Sequence, residues 1–311
     1  MGGAVIGATS VPRPDVLREV TAVEFAERTT GAQIGRVWRR AKSVILDLST
    51  EDRLVVTPRF TGALLIELAV STAETRAETR AETRAETRAE TRAETRAETR
   101  AETRAETRAE TRAETRAETR AGEPTPTSAD YTAIHWQLTD GRTLRYRDVR
   151  RLGTVALMSP DRFERWTAAL GPEPLDPALT AERFSGIVRV SSRAVKSILM
   201  DQRRMAGIGN IYANEALWRA KIRPTRRGTA LSRAAATTLL AEIRAVLTES
   251  IALRGTSFRD YRDAFGGRGG FVARLAVYGR AGEPCTRCGA VLRSTHAIEG
   301  RSTVFCPACQ R

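Results

Sequence analysis

The stretch Cys285-Thr-Arg-Cys288-Gly-Ala-Val-Leu-Arg-Ser-Thr-His-Ala-Ile-Glu-Gly-Arg301-Ser-Thr-Val-Phe-Cys306-Pro-Ala-Cys309 holds all four cysteines of the 311-residue chain, in two C-x2-C pairs. Each pair puts two sulfurs on one tight turn, and two facing turns supply four thiolates at tetrahedral geometry, the donor set that suits Zn²⁺. Protein fills all four positions, so such a zinc is a single structural ion with no open site for chemistry. Two disulfides are the alternative. They need an oxidising compartment, and Met1-Gly-Gly-Ala-Val-Ile-Gly-Ala has neither the basic start nor the long apolar run of a secretory signal, so a cytoplasmic protein is expected. A zinc ribbon is a scaffold, and what it carries has to be sought elsewhere in the chain.

The length allows two domains, each with its own core. Lys plus Arg number 51 against 37 Asp plus Glu, a net charge of +14, which favours a polyanionic partner such as nucleic acid. No apolar run approaches the roughly 18 residues of a membrane span, and no basic amphipathic anchor stands out. An arginine-rich proteome would produce the same excess, so charge by itself leaves DNA and RNA open.

From Ala73 to Arg120 the tetrapeptide Ala-Glu-Thr-Arg repeats without error and contributes none of that excess, because its Glu and Arg are equal in number. Every charged i,i+4 pair in it is a like pair, and a period of four drifts around a helix of about 3.6 residues per turn, so no apolar face forms. The reading is a solvated surface loop inserted between two strands.

On either side of the repeat the pattern is β-rich. Residues 1–14 read as an unfixed leader. Thr21-Ala-Val-Glu24 is a capping box that opens a short helix, which Gly31 can end. Val44–Leu48, Leu54–Thr57 and Leu64–Val70 read as strands, antiparallel neighbours because their connections are short. Beyond the repeat come Tyr131–Leu138, an Asp140-Gly141 hairpin turn and Thr143–Tyr146. Leu170-Gly-Pro-Glu-Pro-Leu175 marks a linker, after which the periodicity is helical over Thr180–Phe184, Arg193–Gln202, Ile211–Ala220 and Ser232–Leu253. Between the second and third of these, Met205-Ala-Gly-Ile-Gly-Asn210 makes a tight turn whose free amides, at the positive end of a helix dipole, can hold an anion. Asn210 and Lys196 are placed to add contacts to a phosphate. Phe271–Tyr278 reads as a strand leading into the ribbon, and Arg301 sits near the ribbon's hairpin tip.

Taken together, these words resemble the formamidopyrimidine-DNA glycosylase and endonuclease VIII family of base-excision repair enzymes. The matching stretches are Arg39-Arg-Ala-Lys42-Ser-Val-Ile-Leu, Thr61-Gly62, Leu144-Arg-Tyr-Arg-Asp-Val-Arg150-Arg-Leu-Gly153, Leu170 to Leu175, Gly207-Ile-Gly-Asn-Ile-Tyr-Ala213, Val277 to Cys285 and Gly300 to Cys306. The last two favour the formamidopyrimidine branch, which removes oxidised purines such as 8-oxoguanine. The resemblance implies an α+β architecture: an N-terminal antiparallel β-sandwich-like domain, incomplete here, and a C-terminal helix-two-turn-helix domain with a zinc ribbon. The expected division is 1–160 (interrupted by the repeat at 73–120), a linker at 161–180, the DNA-binding helices at 181–265, and the terminal hairpin and ribbon at 266–311.

Function follows from the same resemblance. Lys42 matches a lysine that contacts DNA and assists β-elimination, and Arg301 matches a finger arginine linked to δ-elimination. Asn210 matches a phosphate ligand and Lys196 a further DNA contact. Arg150, Leu152 and Phe60 match the residues that fill the gap left by an everted nucleotide, although the family more often has Phe at Leu152. Such a wedge replaces the stacking lost when a base is flipped. The implied activity is DNA glycosylase with AP lyase, acting as a monomer on double-stranded DNA that carries a damaged base or an abasic site. Family members begin Met-Pro-Glu, with the proline amine as nucleophile and the glutamate as acid/base. This chain begins Met-Gly-Gly-Ala, so neither residue is present in that place, and a catalytically dead damaged-DNA binder is the alternative. An RNA or protein-assembly role for the ribbon is a third reading.

Overall fold

The strands that form here are those whose apolar runs can be covered. Val44-Ile-Leu, Leu54-Val-Val and Val155-Ala-Leu-Met158 are continuous apolar stretches, the pattern of strands buried on both faces. In the computed structural model, which describes residues 1–59, 61–68, 131–257 and 264–311, all three lie inside one five-stranded sheet. Its strands are β2 (Leu17–Arg18), β3 (Ile34–Arg40), β4 (Ser43–Leu48), β5 (Arg53–Thr57) and β9 (Thr154–Met158), in the order β2-β9-β5-β4-β3. A second, antiparallel sheet has the order β1-β7-β8-β6, from β1 (Ile6–Ser10), β6 (Gly62–Glu67), β7 (Thr132–Leu138) and β8 (Thr143–Asp148). Ile34, Leu46, Leu54, Val56 and Val155 of the first sheet share one core with Ile6, Ile134, Trp136, Leu144 and Tyr146 of the second. Helix α1 (Ala22–Thr29) adds Phe25, whose ring centroid lies 6.2 Å from that of Trp136. The other face of the five-stranded sheet packs Ile45, Val55, Ala156 and Met158 under Phe163 and Trp166 of helix α2 (Pro160–Ala168).

The remaining helices are α3 (Ala181–Arg189), α4 (Val195–Met200), α5 (Asn210–Arg219) and α6 (Arg233–Ala252). They surround a separate core that includes Phe184, Ile198, Leu199, Leu217, Leu239, Ile243 and Phe271. Ser232 caps α6 by accepting from Ala235 N, and Thr180 caps α3 by accepting from Arg183 N, each offsetting an orphan amide worth about 1 kcal/mol. A short hairpin, β10 (Arg293–Thr295) with β11 (Thr303–Phe305), ends the chain. The mixed α+β architecture expected from the sequence is present, and the Thr21 cap of α1 accepts from Glu24 N as its capping pattern requires.

Three expectations are corrected. Residues 1–14 are no leader: β1 pairs antiparallel with β7, Ile6 is fully buried, and Met1 packs against the shared core. The Gly-rich composition of the segment hid an edge strand whose inward Ile6 is stabilised by burial against the second sheet. The strand after Thr61-Gly62 does not neighbour β5. β6 pairs with β8 in the other sheet, where its Leu64 and Ile66 pack against the shared core. Finally, Phe271–Tyr278 is not a strand. Phe271–Arg274 forms a 3-10 turn, and the amides of Ala276, Val277 and Tyr278 all donate to the buried carboxylate of Glu215, which stands in for a partner strand. Phe60 and the repeat at 73–120 lie outside the described residues.

Candidate nucleic-acid interface

The β3–β4 hairpin turns through Ala41, which takes the left-handed conformation (φ 53°) and leaves Lys42 at the tip. The tip is fastened from the linker. Glu173 Oε1 accepts from Ala41 N at 2.6 Å and from Arg40 Nη1 at 3.0 Å, while Arg39 pairs with Oε2 at 2.8 Å. This clamp brings the hairpin against the glycine turn before α5. Lys42 Nζ lies 3.8 Å from the point that a Cβ on Gly209 would occupy. Gly207 is left-handed (φ 88°), and its amide donates to Gln202 Oε1. Helix α5 starts at Gly209 with no side-chain cap, so its first amides face outward at the positive end of the helix, as an anion requires.

The third part of the cluster is the ribbon. Lys196 on α4 is fully buried, and its ammonium donates to Ser302 O at 3.0 Å and Thr303 Oγ1 at 2.6 Å. Asn210 Nδ2 donates to the same Ser302 carbonyl at 3.1 Å. One turn further along α5, Asn214 Oδ1 accepts from Val304 N. The residue before Ser302 is Arg301, exposed beyond the left-handed Glu299 and Gly300. Arg193 steadies the approach to this tip through ion pairs to Glu299 and Asp201.

Electrostatics shows how close the cations are. Lys42 is exposed on the hairpin, yet the protein mass on one side of its ammonium reduces hydration, and the charges of Arg301 and Arg59 repel it, so its pKa falls to about 8. Lys196 falls to about 8 through burial first and then Arg301, with Glu299 opposing. Of the two, Lys42 faces outward and gains from an arriving anion, since a phosphate restores the favourable surroundings its protonated form lacks, whereas the Lys196 charge is met inside by Ser302 O and Thr303 Oγ1.

The four cysteines fit zinc. All four Sγ atoms lie within 4.8 Å of one another, with Cys285 to Cys309 at 4.0 Å and Cys288 to Cys306 at 3.5 Å. A tetrahedron with Zn–S near 2.3 Å has edges of about 3.8 Å. Cys285, Cys288, Cys306 and Cys309 thus hold one structural zinc beneath Val277, Leu292 and Val304. Trp218 of α5 donates Nε1 to Cys285 Sγ at 3.4 Å, joining the ribbon to the helices.

On the sandwich, Arg150 and Leu152 are both exposed on the β8–β9 loop, Leu152 by 38%. Sequence reasoning singled out these two, Lys42, Lys196, Asn210 and Arg301. It missed Glu173, Asn214, Glu215 and Asp148, whose roles arise from partners distant in the chain. The only signal for Glu173 was its place in Leu170-Gly-Pro-Glu-Pro-Leu175.

Residues 1–155 match the formamidopyrimidine-DNA glycosylase N-terminal domain, 170–262 the H2TH domain of the same enzymes, and 282–311 the zinc finger found in FPG and IleRS. Over 310 residues the chain is 30% identical to the formamidopyrimidine-DNA glycosylase of Herpetosiphon aurantiacus, covering 100% of this chain and 93% of the relative. The chain belongs to the formamidopyrimidine-DNA glycosylase family. Higher identities occur over shorter spans: 49% to the protein of Thermomicrobium roseum over 54% of this chain and 58% of the relative, and 42% to that of Roseiflexus sp. over 58% and 66%. These matches therefore span less than two thirds of those glycosylases. Among solved structures, Lactococcus lactis Fpg in complex with DNA containing an abasic site is similar at TM-score 0.75 and 26% identity, covering 100% of this chain and 94% of that one. The wild-type Lactococcus lactis protein in complex with DNA containing N7-benzyl-Fapy-dG is similar at TM-score 0.74 and 26% identity, covering 100% of this chain and 93% of that one.

Proposed function

We propose that this family member is a base-excision repair DNA glycosylase with AP lyase activity, which acts as a monomer on oxidised purines in duplex DNA and works in the cytoplasm. The observation that carries the reading is the meeting of Lys42, the uncapped start of α5 at Gly209-Asn210 and the zinc-braced Arg301 tip. Three segments far apart in sequence supply one cationic, amide-lined wall. A wall of that kind suits the phosphates flanking one nucleotide. In this reading Asn210 and the first amides of α5 take a phosphate oxygen. Lys42 contacts the phosphate and assists the β-elimination step, and Arg301 stabilises the phosphate that leaves in the δ step. Arg150, Leu152 and Phe60 fill the space vacated by the everted nucleotide. Lys196 is fully buried and supports that surface from beneath, through the ribbon strand it holds. The division into a β-rich unit, a linker, the H2TH helices and a terminal ribbon is proposed with one change: helix α2 (Pro160–Ala168), packed on the five-stranded sheet, belongs to the β-rich unit, so the linker begins after it.

The test is a competition between a duplex containing a tetrahydrofuran abasic site and its undamaged counterpart, followed by incision of an 8-oxoguanine duplex on a denaturing gel. At least a ten-fold preference for the abasic duplex is expected, roughly 1.4 kcal/mol, with binding that weakens steeply as salt rises. Equal affinity for the two duplexes refutes the reading. Preference without incision leaves the damaged-DNA binder in its place.

A further inference from the structure

The β8–β9 loop shows Arg150, Arg151 and Leu152 to solvent, yet it stands on a fully buried carboxylate. Asp148 has no cationic partner among the described residues. Its Oδ1 accepts from Thr61 Oγ1 at 2.7 Å, and its Oδ2 accepts from Gly153 N at 2.7 Å and Tyr146 Oη at 3.2 Å. Burial first, and then the Asp148 charge, raise the Tyr146 pKa, so the phenol stays protonated and keeps donating. Thr61 uses its oxygen twice, donating to Asp148 and accepting from Arg150 N at 3.0 Å.

Two loops therefore hang on one carboxylate. The first is the Thr61-Gly62 turn that opens β6; the second, 148–153, carries Arg150 and Leu152. Both are tight. Arg59 and Arg151 adopt left-handed conformations (φ 47° and 50°). A Cβ on Gly62 would collide with the Pro58 carbonyl, and one on Gly153 would collide with Tyr146 Oη. A buried carboxylate satisfied only by neutral donors is costly, and apolar residues of the same volume are commonly no less stable in such places. Stability alone is thus a weak reason for Asp148. Its position beneath an exposed leucine and arginine supplies a stronger one.

We infer that Asp148 and Thr61 are positioning residues that preset the Arg150–Leu152 wedge, holding it against the Thr61-Gly62 turn in the shape that enters a duplex. This inference rests on the DNA reading above. A wedge ordered in advance loses little freedom on insertion, whereas a loose one must be ordered by the DNA itself.

The experiment compares Thr61→Val, which keeps the shape and removes the hydroxyl, with Thr61→Ser, which keeps the hydroxyl. Each is bound to a duplex carrying 2-aminopurine opposite a tetrahydrofuran abasic site. The expected T61V protein retains the wild-type salt slope, since the Lys42–Asn210–Arg301 wall is untouched. Its preference for abasic over intact duplex falls about five-fold or more, and the fluorescence change at saturation shrinks by a similar factor, through lost preorganisation. T61S stays within about two-fold of wild type on the same scale. Wild-type preference and fluorescence in T61V overturn the inference. A wild-type protein that itself shows no preference overturns the DNA reading and the inference together. Amide hydrogen exchange of the unmodified protein gives an independent check that needs no variant to fold. The Arg150 and Gly153 amides are expected to be protected despite the exposed loop, and rapid exchange at both overturns the inference.

Discussion

Arg39 and Arg40 stand side by side in β3, and the structure predicts that removing them has very different consequences. The Arg40 guanidinium donates to Thr167 Oγ1, Glu173 Oε1 and the carbonyls of Thr167, Leu170 and Gly171, with its side chain only 16% exposed. Arg40→Ala leaves a mostly buried carboxylate and several carbonyls without their donor, a loss of about 3 to 5 kcal/mol for a broken buried pair. Arg39 is 52% exposed and holds Glu173 Oε2 and Ala41 O. Solvent screens that pair, so Arg39→Ala costs at most about 1 kcal/mol. At about 2 to 3 °C per kcal/mol for a chain of this size, R40A melts roughly 6 to 15 °C below wild type and R39A no more than about 3 °C below. Thermal unfolding followed by circular dichroism measures both, at low and at high salt. The R40A deficit persists at high salt because its partners are shielded. Equal shifts for the two variants, or a larger one for R39A, would refute the assignment of Glu173 and the linker carbonyls as the clamp on the Lys42 hairpin.

Two further outcomes follow from the cationic wall and the ribbon. Lys42 titrates near pH 8, below the ordinary lysine value, so its proton is lost as pH rises through that value and the phosphate contact goes with it. DNA affinity measured by fluorescence anisotropy at fixed ionic strength is expected to fall up to about ten-fold between pH 7 and 9. Lys42→Arg removes most of that dependence, and a flat wild-type profile contradicts the placement of Lys42. Chelation of zinc, or Cys288→Ser, is expected to release the β10–β11 hairpin, whose strands have three residues each. DNA affinity then drops by roughly ten-fold or more while the sandwich core stays folded, since a ribbon of this kind depends on its metal. Metal content measured beside binding checks this, and unchanged affinity in metal-free protein rules it out.

Features encoded by neighbours in sequence were legible without the structure. The zinc ligands follow from two C-x2-C spacings, and the starts of α1, α3 and α6 from a hydroxyl just before an apolar periodicity. The Gly207-x-Gly209 turn needs only residues whose backbone can bend there. What was misread depended on distant partners. Ile6 is a core residue only because Trp136 and Ile34 reach it from strands elsewhere, and 276–278 need no partner strand only because Glu215 supplies the acceptor.

The functional residues divide along the same line. The sequence by itself determined that cysteines could hold a metal and that Lys42, Lys196, Asn210 and Arg301 were candidates for an anion. Only the tertiary structure decided that Lys196 turns its charge into the protein, 106 residues from its acceptor on Ser302, while Lys42 and Arg301 share an outer wall. It likewise separated Arg40 from Arg39, and found Asp148 beneath the Arg150–Leu152 loop. The reason is physical. Spacing fixes which groups can share a turn, but desolvation and repulsion are set by whatever the fold packs around a charge, and those neighbours are not written beside it.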